Sequence, residues 1–481
     1  MNPSRKRLLL VLSLVVLFAG IHWLGRGLTR HAGVDPQPNL VLIVVDTLRA
    51  DHLGCYGALR PTSPNIDALA GRSLLFEQAY APSSWTLPSM ASLWTGKLPS
   101  EHGVQSWTGA IPPDVPVLPE ILKAQGYVTV GIVGNANLSA DLGFGRGFDL
   151  YVEGRTEPKL ARTGLPLYPS AGDMTDMAID ALDRLRDKRF FLYVHYMDPH
   201  SPYLLPDDAK EAFPDPDYDG FLVSTLAQVR PLVGSRFVRV FPYFWSKFRD
   251  VEADRARIRQ LYDSKIRYTD RHIGRLLEHL DSLKLSGNTI VAFTADHGEG
   301  LFQNGIRMHE AEPYQHQVHI PLMLSGPHLP PASRIETPVE LLDLPLALSR
   351  LTSDGQHEWP VEPSSGNGRL LDVIHDRTVD GDKSVVAQVY IAEKDLDVWM
   401  VEENKAKLMV SRVGRQLFDL TKDPGEMQNV IGKRPELETR LNRIMLRRLG
   451  ALEPPLRQAA HHDAVTDPAL LERLRALGYV Q

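Results

Sequence analysis

The hydrophobic positions of this chain fall in short apolar runs that alternate with longer amphipathic stretches. Two of the runs, residues 39–45 and 288–295, are rich in Val and Ile, and each leads directly into an aspartate, Asp46 and Asp296. Short β-branched runs of this kind predict buried parallel strands. Because ligands bind at the carboxyl edge of an open α/β sheet, we expect both aspartates at a ligand-binding edge.

Alternating elements continue to about residue 353 and predict a mostly parallel, layered sheet between helices. The predicted strands are 74–79, 127–133, 190–196 and 320–324, and the predicted helices are one starting at Ser63, then 118–124, 173–185, 251–283 and 338–351. Residues 204–250, rich in Pro, Phe and Tyr, are predicted to be irregular, as a rim over the site or as an insertion.

After residue 353 the predicted elements change from alternating strands and helices to consecutive short strands. Short strands are predicted at 385–392, 398–402, 407–411 and 416–419, with a helix at 435–449. We therefore predict a main domain over 39–353 and a smaller α+β subdomain over 354–481, with an antiparallel sheet packed on the edge of the main sheet.

The N-terminus carries a hydrophobic segment with basic flanks. Arg5, Lys6 and Arg7 precede an uncharged run over residues 8–24, and Arg26 follows it. At ~1.5 Å per residue this run is near the minimum that crosses a bilayer. We predict residues 1–30 as an uncleaved membrane anchor and 31–38 as a linker, with the body of the protein on the extracytoplasmic side. The alternative is a cleaved signal peptide and a secreted protein.

Composition adds two exclusions. Lys and Arg number 53 against 59 Asp and Glu, a net charge of −6, so no global basic field indicates a nucleic-acid partner. The single cysteine, Cys55, excludes an intramolecular disulfide.

The segment 83–96, SSWTLPSMASLWTG, places Thr86 at the start of a predicted helix. A hydroxyl there, near two carboxylates and His297, suits a metal-activated nucleophile that attacks an anionic ester. The alternative is a helix N-cap, a position that threonine favours. Asp46, Thr86, Asp296 and His297 are the candidate metal ligands. Carboxylates with one imidazole fit calcium, manganese or magnesium, and zinc is less favoured without further His or Cys ligands.

Several longer motifs occur in order along the chain. They are NLVLIVVDTLRADHLGCYG, TLPSMASLWTGKLPSEHGV, HYMDPHSPY, KIRYTDRHIGRLLEHL, TADHGEGL, HIPLMLSGP and QLFDLTKDPGE. This set resembles the sulfatase family of the alkaline phosphatase superfamily. The resemblance implies an α/β sandwich with a large mixed sheet, a smaller C-terminal sheet and a divalent metal at the nucleophile.

The resemblance also implies roles for single residues. Asp46, Asp296 and His297 match metal ligands, and Thr86 matches the nucleophile. His200 matches a histidine that hydrogen-bonds the ester or protonates the leaving group.

The resemblance also indicates which residues stand where the family holds the anion. His309, with Arg307 as a neighbouring candidate, stands where the family contacts the anion; a solvated loop is the alternative for both. Asn135 and Asn137 stand where the family has a lysine and a histidine that hold sulfate.

The nucleophile region departs from the family pattern of Cys or Ser followed by x-Pro-x-Arg, in which the Cys or Ser is oxidised to formylglycine. This chain has Thr86, Pro88 and Met90 instead. Oxidising threonine would give a ketone, so the aldehyde-hydrate route is closed. The family's tandem aspartates are Asp46 and Thr47 here, so one acidic ligand is missing or is supplied by Thr47.

These features predict a metal-dependent hydrolase of a small sulfuric or phosphoric ester, with Thr86 as nucleophile and no formylglycine. Phosphoric esters are favoured, because phosphorus tolerates the second displacement that clears a threonine ester. One alternative is a transferase that moves a phosphoryl-linked headgroup onto an envelope lipid or glycan. Another is an inactive binding module on a sulfatase scaffold.

Overall fold

The computed structural model describes residues 37–107, 109–153, 169–207, 209–233, 237–353, 359, 369–375, 383–391 and 394–455. The predicted anchor and almost all of the predicted linker lie outside these residues, as do residues 354–358, where the predicted domain boundary falls. Within the described part, no helix combines the length and apolar character that crossing a bilayer requires. The anchor and the domain division therefore stay predictions.

A mixed sheet of nine described strands forms the centre of the molecule. Its strands are β1 (Asn39–Val45), β2 (Leu74–Tyr80), β3 (Val128–Val133), β4 (Leu150–Glu153), β5 (Phe190–Tyr196), β6 (Thr289–Ala295), β7 (His319–Ser325), β8 (Ser333–Ile335) and β9 (Val339–Glu340). Their order is β4-β3-β5-β1-β6-β7-β2-β8, with β9 also paired to β2. The five strands β4, β3, β5, β1 and β6 are parallel to one another. Strand β7 runs antiparallel to its two neighbours, β6 and β2. The predicted large, mostly parallel sheet is confirmed.

Strand β1 lies between β5 and β6, and all three are buried along their whole length. Val44 lies opposite His195 on one side and Thr294 on the other. Strands buried on both faces need continuous apolar sequence, which explains the two Val/Ile-rich runs. Their parallel register brings the residues after β1 and β6 to one edge, as predicted.

Helices cover both faces of the sheet. The helices are α1 (Pro64–Ala70), α2 (Thr86–Thr95), α3 (Pro99–His102), α4 (Leu118–Ala124), α5 (Ala171–Leu185), α6 (Leu226–Val233), α7 (Phe237–Ser246), α8 (Glu252–Ser282), α9 (Gln315–Val318), α10 (Leu344–Leu351), α11 (Arg369–Ile374) and α12 (Pro435–Leu449). Strand β5 contacts both layers: the Tyr193 ring packs 4.8 Å from that of Trp94 on α2, whereas the Tyr196 hydroxyl lies 2.8 Å from Thr175 Oγ1 on α5. Odd-numbered side chains of β5 therefore face the α2 side.

Two predictions about elements were wrong. Residues 204–250 contain α6 and α7, although Pro231 and Pro242 lie inside those helices. Each proline is the sixth residue of a short helix and interrupts few backbone hydrogen bonds. The helix predicted over 338–351 begins only at Leu344, because Val339 and Glu340 pair with β2 and a 3-10 turn follows.

The C-terminal part forms the predicted antiparallel sheet. Its strands are β10 (Val385–Ile391), β11 (Leu396–Glu403), β12 (Ala406–Ser411) and β13 (Gly414–Asp419), in the order β10-β11-β12-β13. Gln388 N donates to Pro82 O at 2.8 Å, and the buried Arg448 pairs with Glu340 at 2.6 Å. The small sheet therefore contacts the main sheet just after β2, and α12 contacts it at β9.

The buried carboxyl of Asp343, beside Glu340, gives a pH-dependent prediction. Burial, with repulsion from Glu340, raises the pKa of Asp343 to about 7. Arg369 and Arg448 lower this pKa, but by less than burial and Glu340 raise it. A carboxyl whose pKa is higher in the folded state stabilises the fold at acidic pH, and that contribution declines as pH rises from about 4 to 7. Asp343→Asn should therefore raise the free energy of unfolding at pH 8 by roughly 1–4 kcal/mol and change it little at pH 4. Urea unfolding at the two pH values measures this, and equal gains at both would contradict it.

Candidate active site

Thr86 is the first residue of α2, and its side chain faces a buried polar cluster. Trp85, not Thr86, occupies the N-cap position, so the N-cap alternative is wrong. Thr86 Oγ1 lies 3.2 Å from His297 Nε2 and 3.5 Å from Asn135 Nδ2. Its hydroxyl therefore points toward the edge where β1 and β6 end.

Asp46 and Asp296 follow β1 and β6 and are fully buried. Asp296 Oδ1 accepts from Thr47 N at 3.1 Å and His297 N at 2.8 Å, whereas Asn135 Nδ2 donates to Asp46 Oδ2 at 2.6 Å. Asp46 Oδ1 and Asp296 Oδ2 have no hydrogen-bond partner among the described residues. Burial, and then repulsion from Asp296, raise the pKa of Asp46 well above its usual range. One unused oxygen on each acid suits a cation between them.

The hydrogen bonds of His297 fix its tautomer. Its Nδ1 lies 2.9 Å from Gly298 O, which can only accept, so Nδ1 carries the proton. The lone pair on Nε2 then faces Thr86 Oγ1, with Asp296 Oδ2 at 3.4 Å. Burial lowers the pKa of His297 and keeps the ring neutral. A neutral Nε2 in this position can bind a metal or accept the hydroxyl proton.

His200 and His309 extend the cluster. The ring of His309 lies 4.8 Å from that of His297 and 5.0 Å from that of His200, whose Nδ1 donates to Ser201 O at 2.6 Å. Burial opposes a charge on His309, but Glu299, with Oε1 3.3 Å from Nδ1, raises the pKa of His309 above its ordinary value. Glu299 therefore favours the charged form of this ring, which packs against His297, the histidine next to Thr86.

Arg307 lies apart from this cluster. It is exposed, and its guanidinium stacks 5.1 Å from the ring centroid of Trp245 and 5.2 Å from that of Phe248. Trp245, on α7, donates to Ser201 Oγ at 3.2 Å, next to His200. The structure thus places Arg307 on an aromatic rim, and its predicted anion contact stays a prediction.

His195 also belongs to the cluster, although it was not among the residues predicted from the sequence. It is fully buried on β5, and one ring nitrogen lies with oxygens of Asp46 and Asp296 in a group whose atoms are all within 4.8 Å of one another. Burial lowers the pKa of His195 to about 4. The available signal was one polar residue inside the apolar run 190–196.

Thr47 sits in a strained turn between the two acids. Its φ of 56° is in the left-handed region, which β-branched residues rarely adopt. Thr47 O accepts from Tyr262 OH at 2.6 Å, and Oγ1 has no hydrogen-bond partner among the described residues. The hydrogen bonds of its backbone to Tyr262 and Asp296 hold the turn in place. Because Oγ1 has no partner among the described residues, the hydroxyl is available as a ligand.

Comparison with known proteins identifies the family. Residues 38–354 match the family model described as Sulfatase. The chain belongs to the sulfatase family. Human iduronate 2-sulfatase is 30% identical over 365 residues, which is 64% of this chain and 65% of that enzyme. The chain thus spans less than two thirds of that relative.

Solved structures agree with the fold of this sulfatase-family chain. A structure described as a complex with its substrate D-glucosamine-2-N,6-O-disulfate has a TM-score of 0.68 at 19% identity, covering 86% of this chain and 98% of that one. Phosphonate monoester hydrolase from Silicibacter pomeroyi has a TM-score of 0.66 at 20% identity, covering 85% and 95%. The expected family and fold are confirmed, and enzymes of this family use a divalent metal.

The loop that carries His200 is held by a buried ion pair. Lys265 Nζ, on α8, lies 2.8 Å from Asp198 Oδ1 and donates to His200 O at 2.9 Å. Lys265→Met would leave the Asp198 charge buried and unpaired, so we expect a loss of about 3–5 kcal/mol in the free energy of unfolding. Lys265→Met combined with Asp198→Asn should recover much of it. Chemical unfolding of the single and double variants checks this, and equal losses in both would contradict the pairing.

Proposed function

We propose that this sulfatase-family protein is a metal-dependent hydrolase of a sulfuric or phosphoric ester, with Thr86 as the nucleophile and no formylglycine. The observation that carries the proposal is the position of Thr86 Oγ1, 3.2 Å from the unprotonated Nε2 of His297. The hydroxyl oxygen and this imidazole lone pair therefore face each other beside two buried carboxylates, where one ion would contact both.

The free carboxylate oxygens of Asp46 and Asp296 fit a divalent ion. These residues, with His297 and Thr86, would hold it. When bound, such an ion neutralises ester oxygens and lowers the pKa of a hydroxyl beside it.

The other groups of the cluster bind the ester and manage protons. Glu299 favours the charged form of His309, which would attract the anion, and the Asn135 amide orients Asp46 and the nucleophile. We assign the leaving-group proton to the pair of His200 and His309, whose rings lie 5.0 Å apart. Water then attacks the phosphorus or sulfur of the threonine ester and gives a proton to the histidine pair that protonated the leaving group. The bond from that atom to Thr86 Oγ1 breaks, Oγ1 regains a proton, and free phosphate or sulfate is released.

Chemistry favours phosphoric over sulfuric esters for a threonine nucleophile. A threonine phosphate is cleared by a second in-line attack, whereas a threonine sulfate lacks the elimination route that an aldehyde hydrate offers. A phosphonate monoester hydrolase on the same fold supports phosphorus chemistry for this architecture.

A transferase is the second candidate, because the apolar run 8–24 with basic flanks favours a membrane-anchored, extracytoplasmic protein. An acceptor lipid or glycan would then replace water in the second step. An inactive binding module remains the third reading, motivated by Met90 and Asn135 in place of family cations.

The deciding experiment is a paired assay of aryl sulfate, phosphate monoester, phosphodiester and phosphonate monoester substrates with a series of divalent metals. We expect metal-dependent turnover, highest on a phosphorus ester. A product linked to an added acceptor, with little free alcohol, would favour transfer. No turnover of any ester with any metal would contradict the hydrolase.

A further inference from the structure

His195 is a buried imidazole that the protein leaves without a hydrogen bond. It is 0% exposed, and neither Nδ1 nor Nε2 has a partner among the described residues. Leaving a buried polar group unpaired is unfavourable, so most such groups in folded proteins are hydrogen-bonded. Both ring nitrogens are therefore free to bind a group from outside the chain.

Two other unpaired groups lie beside it. Asp46 Oδ1 and Asp296 Oδ2 also lack partners among the described residues, and one donor atom from each of the three residues lies within 4.8 Å of the others. The backbone fixes this arrangement, since Asp46 N donates to Tyr196 O at 2.9 Å, His195 lies on β5, and the two aspartates directly follow the parallel strands β1 and β6. Three converging, unpaired acceptors around two like charges are the signature of a cation site.

We propose that His195 is a ligand of the divalent ion, so that two carboxylates and two imidazoles bind it and the site prefers zinc or another transition metal to calcium or magnesium. The proposal rests on the proposed metal dependence and adds a ligand and a metal class to it. Asp46, Asp296 and His195 supply the three donor atoms that lie within 4.8 Å of one another. His297 supplies Nε2, which lies 3.4 Å from Asp296 Oδ2 and 3.2 Å from Thr86 Oγ1.

The donor set decides the metal preference. Calcium and magnesium take oxygen ligands almost exclusively, whereas zinc, manganese and cobalt accept imidazole nitrogen. The sequence disfavoured zinc because it showed only one imidazole ligand. His195, on β5, would be a second imidazole ligand, so zinc is no longer disfavoured. It would also take the place of the acidic ligand that is lost because Thr47 stands where the family has an aspartate.

Metal titrations of the full chain test the proposal without relying on activity. Metal-depleted wild type and His195→Leu are titrated with zinc, manganese and calcium against a chromophoric chelator. His102→Leu is the matched control: His102 is also buried, but its ring nitrogens are engaged by Ser92 Oγ at 3.0 Å and Val104 N at 3.0 Å. Circular dichroism establishes that each variant is folded.

We expect His195→Leu to weaken zinc binding by about 100-fold and calcium binding only a few-fold, with both unchanged in His102→Leu. Zinc affinity equal to wild type in His195→Leu would overturn the role of His195. Absence of metal binding by wild type would instead refute the metal-dependent hydrolase itself.

A second measurement needs no variant. Cobalt(II)-substituted wild type should show paramagnetically shifted resonances from two ligating imidazoles. Resonances from a single imidazole would overturn the proposal even if His195→Leu fails to fold.

Discussion

Thr86→Val is expected to lower kcat by at least about a thousandfold on the best ester while leaving metal affinity within about tenfold. Valine has nearly the shape of threonine but no hydroxyl, so the helix start and its buried packing are retained. The hydroxyl is one metal contact among several, whereas it is the only group proposed to form the covalent ester. Initial rates and chelator titration measure the two effects.

Thr86→Ser is the matched control, because it keeps the hydroxyl and loses one methyl group. It should retain measurable turnover, reduced by the looser placement of Oγ. Turnover by Thr86→Val equal to wild type would exclude a covalent mechanism at this residue. Equal losses in the Ser and Val variants would indicate a packing role instead.

Asp296→Asn is expected to lose both metal binding, by at least about 100-fold, and turnover in proportion. The amide oxygen can still accept from Thr47 N and His297 N, so the turn is preserved while the charge is removed. Elemental analysis after dialysis and initial rates at saturating metal measure the result.

Asp270→Asn is the control, since Asp270 is a buried carboxylate that accepts from Asn65 N at 2.9 Å and Ile66 N at 2.8 Å, away from the cluster. It should bind metal as wild type does. Full turnover by Asp296→Asn without bound metal would refute the metal-dependent mechanism.

The sheet was predictable because its strands are buried on both faces. Such strands must be apolar throughout, so β1, β5 and β6 stand out in the sequence, and their acids follow directly at Asp46 and Asp296. Helices α4 and α12 were also predicted with their exact bounds, because their amphipathic period is regular. Local pattern was sufficient wherever burial alone decided the structure.

Prediction was weaker where tertiary contacts overrode local pattern. Val339 and Glu340 join the sheet because β2 offers an open edge, although their sequence continues a helical period. Arg307 is only two residues from His309 in sequence, yet its side chain stacks on Trp245 of α7. The residues of α7 were predicted to be irregular, so this contact could not be foreseen.

The same limit explains why His195 was missed. A histidine inside an apolar strand is usually a core residue, and only the sheet order shows that β5 pairs with β1, whose other neighbour is β6. Its place beside the two acids could be seen only once β5, β1 and β6 were known to be neighbours.

The most direct test of the central claim is acid quenching of the holoenzyme during turnover of its best ester, followed by peptide mass spectrometry. Threonine attack predicts a burst of leaving group near one equivalent per site and a phosphoryl or sulfuryl group on Thr86. Linear release without a burst, together with the transferred group on another residue or on none, would contradict it.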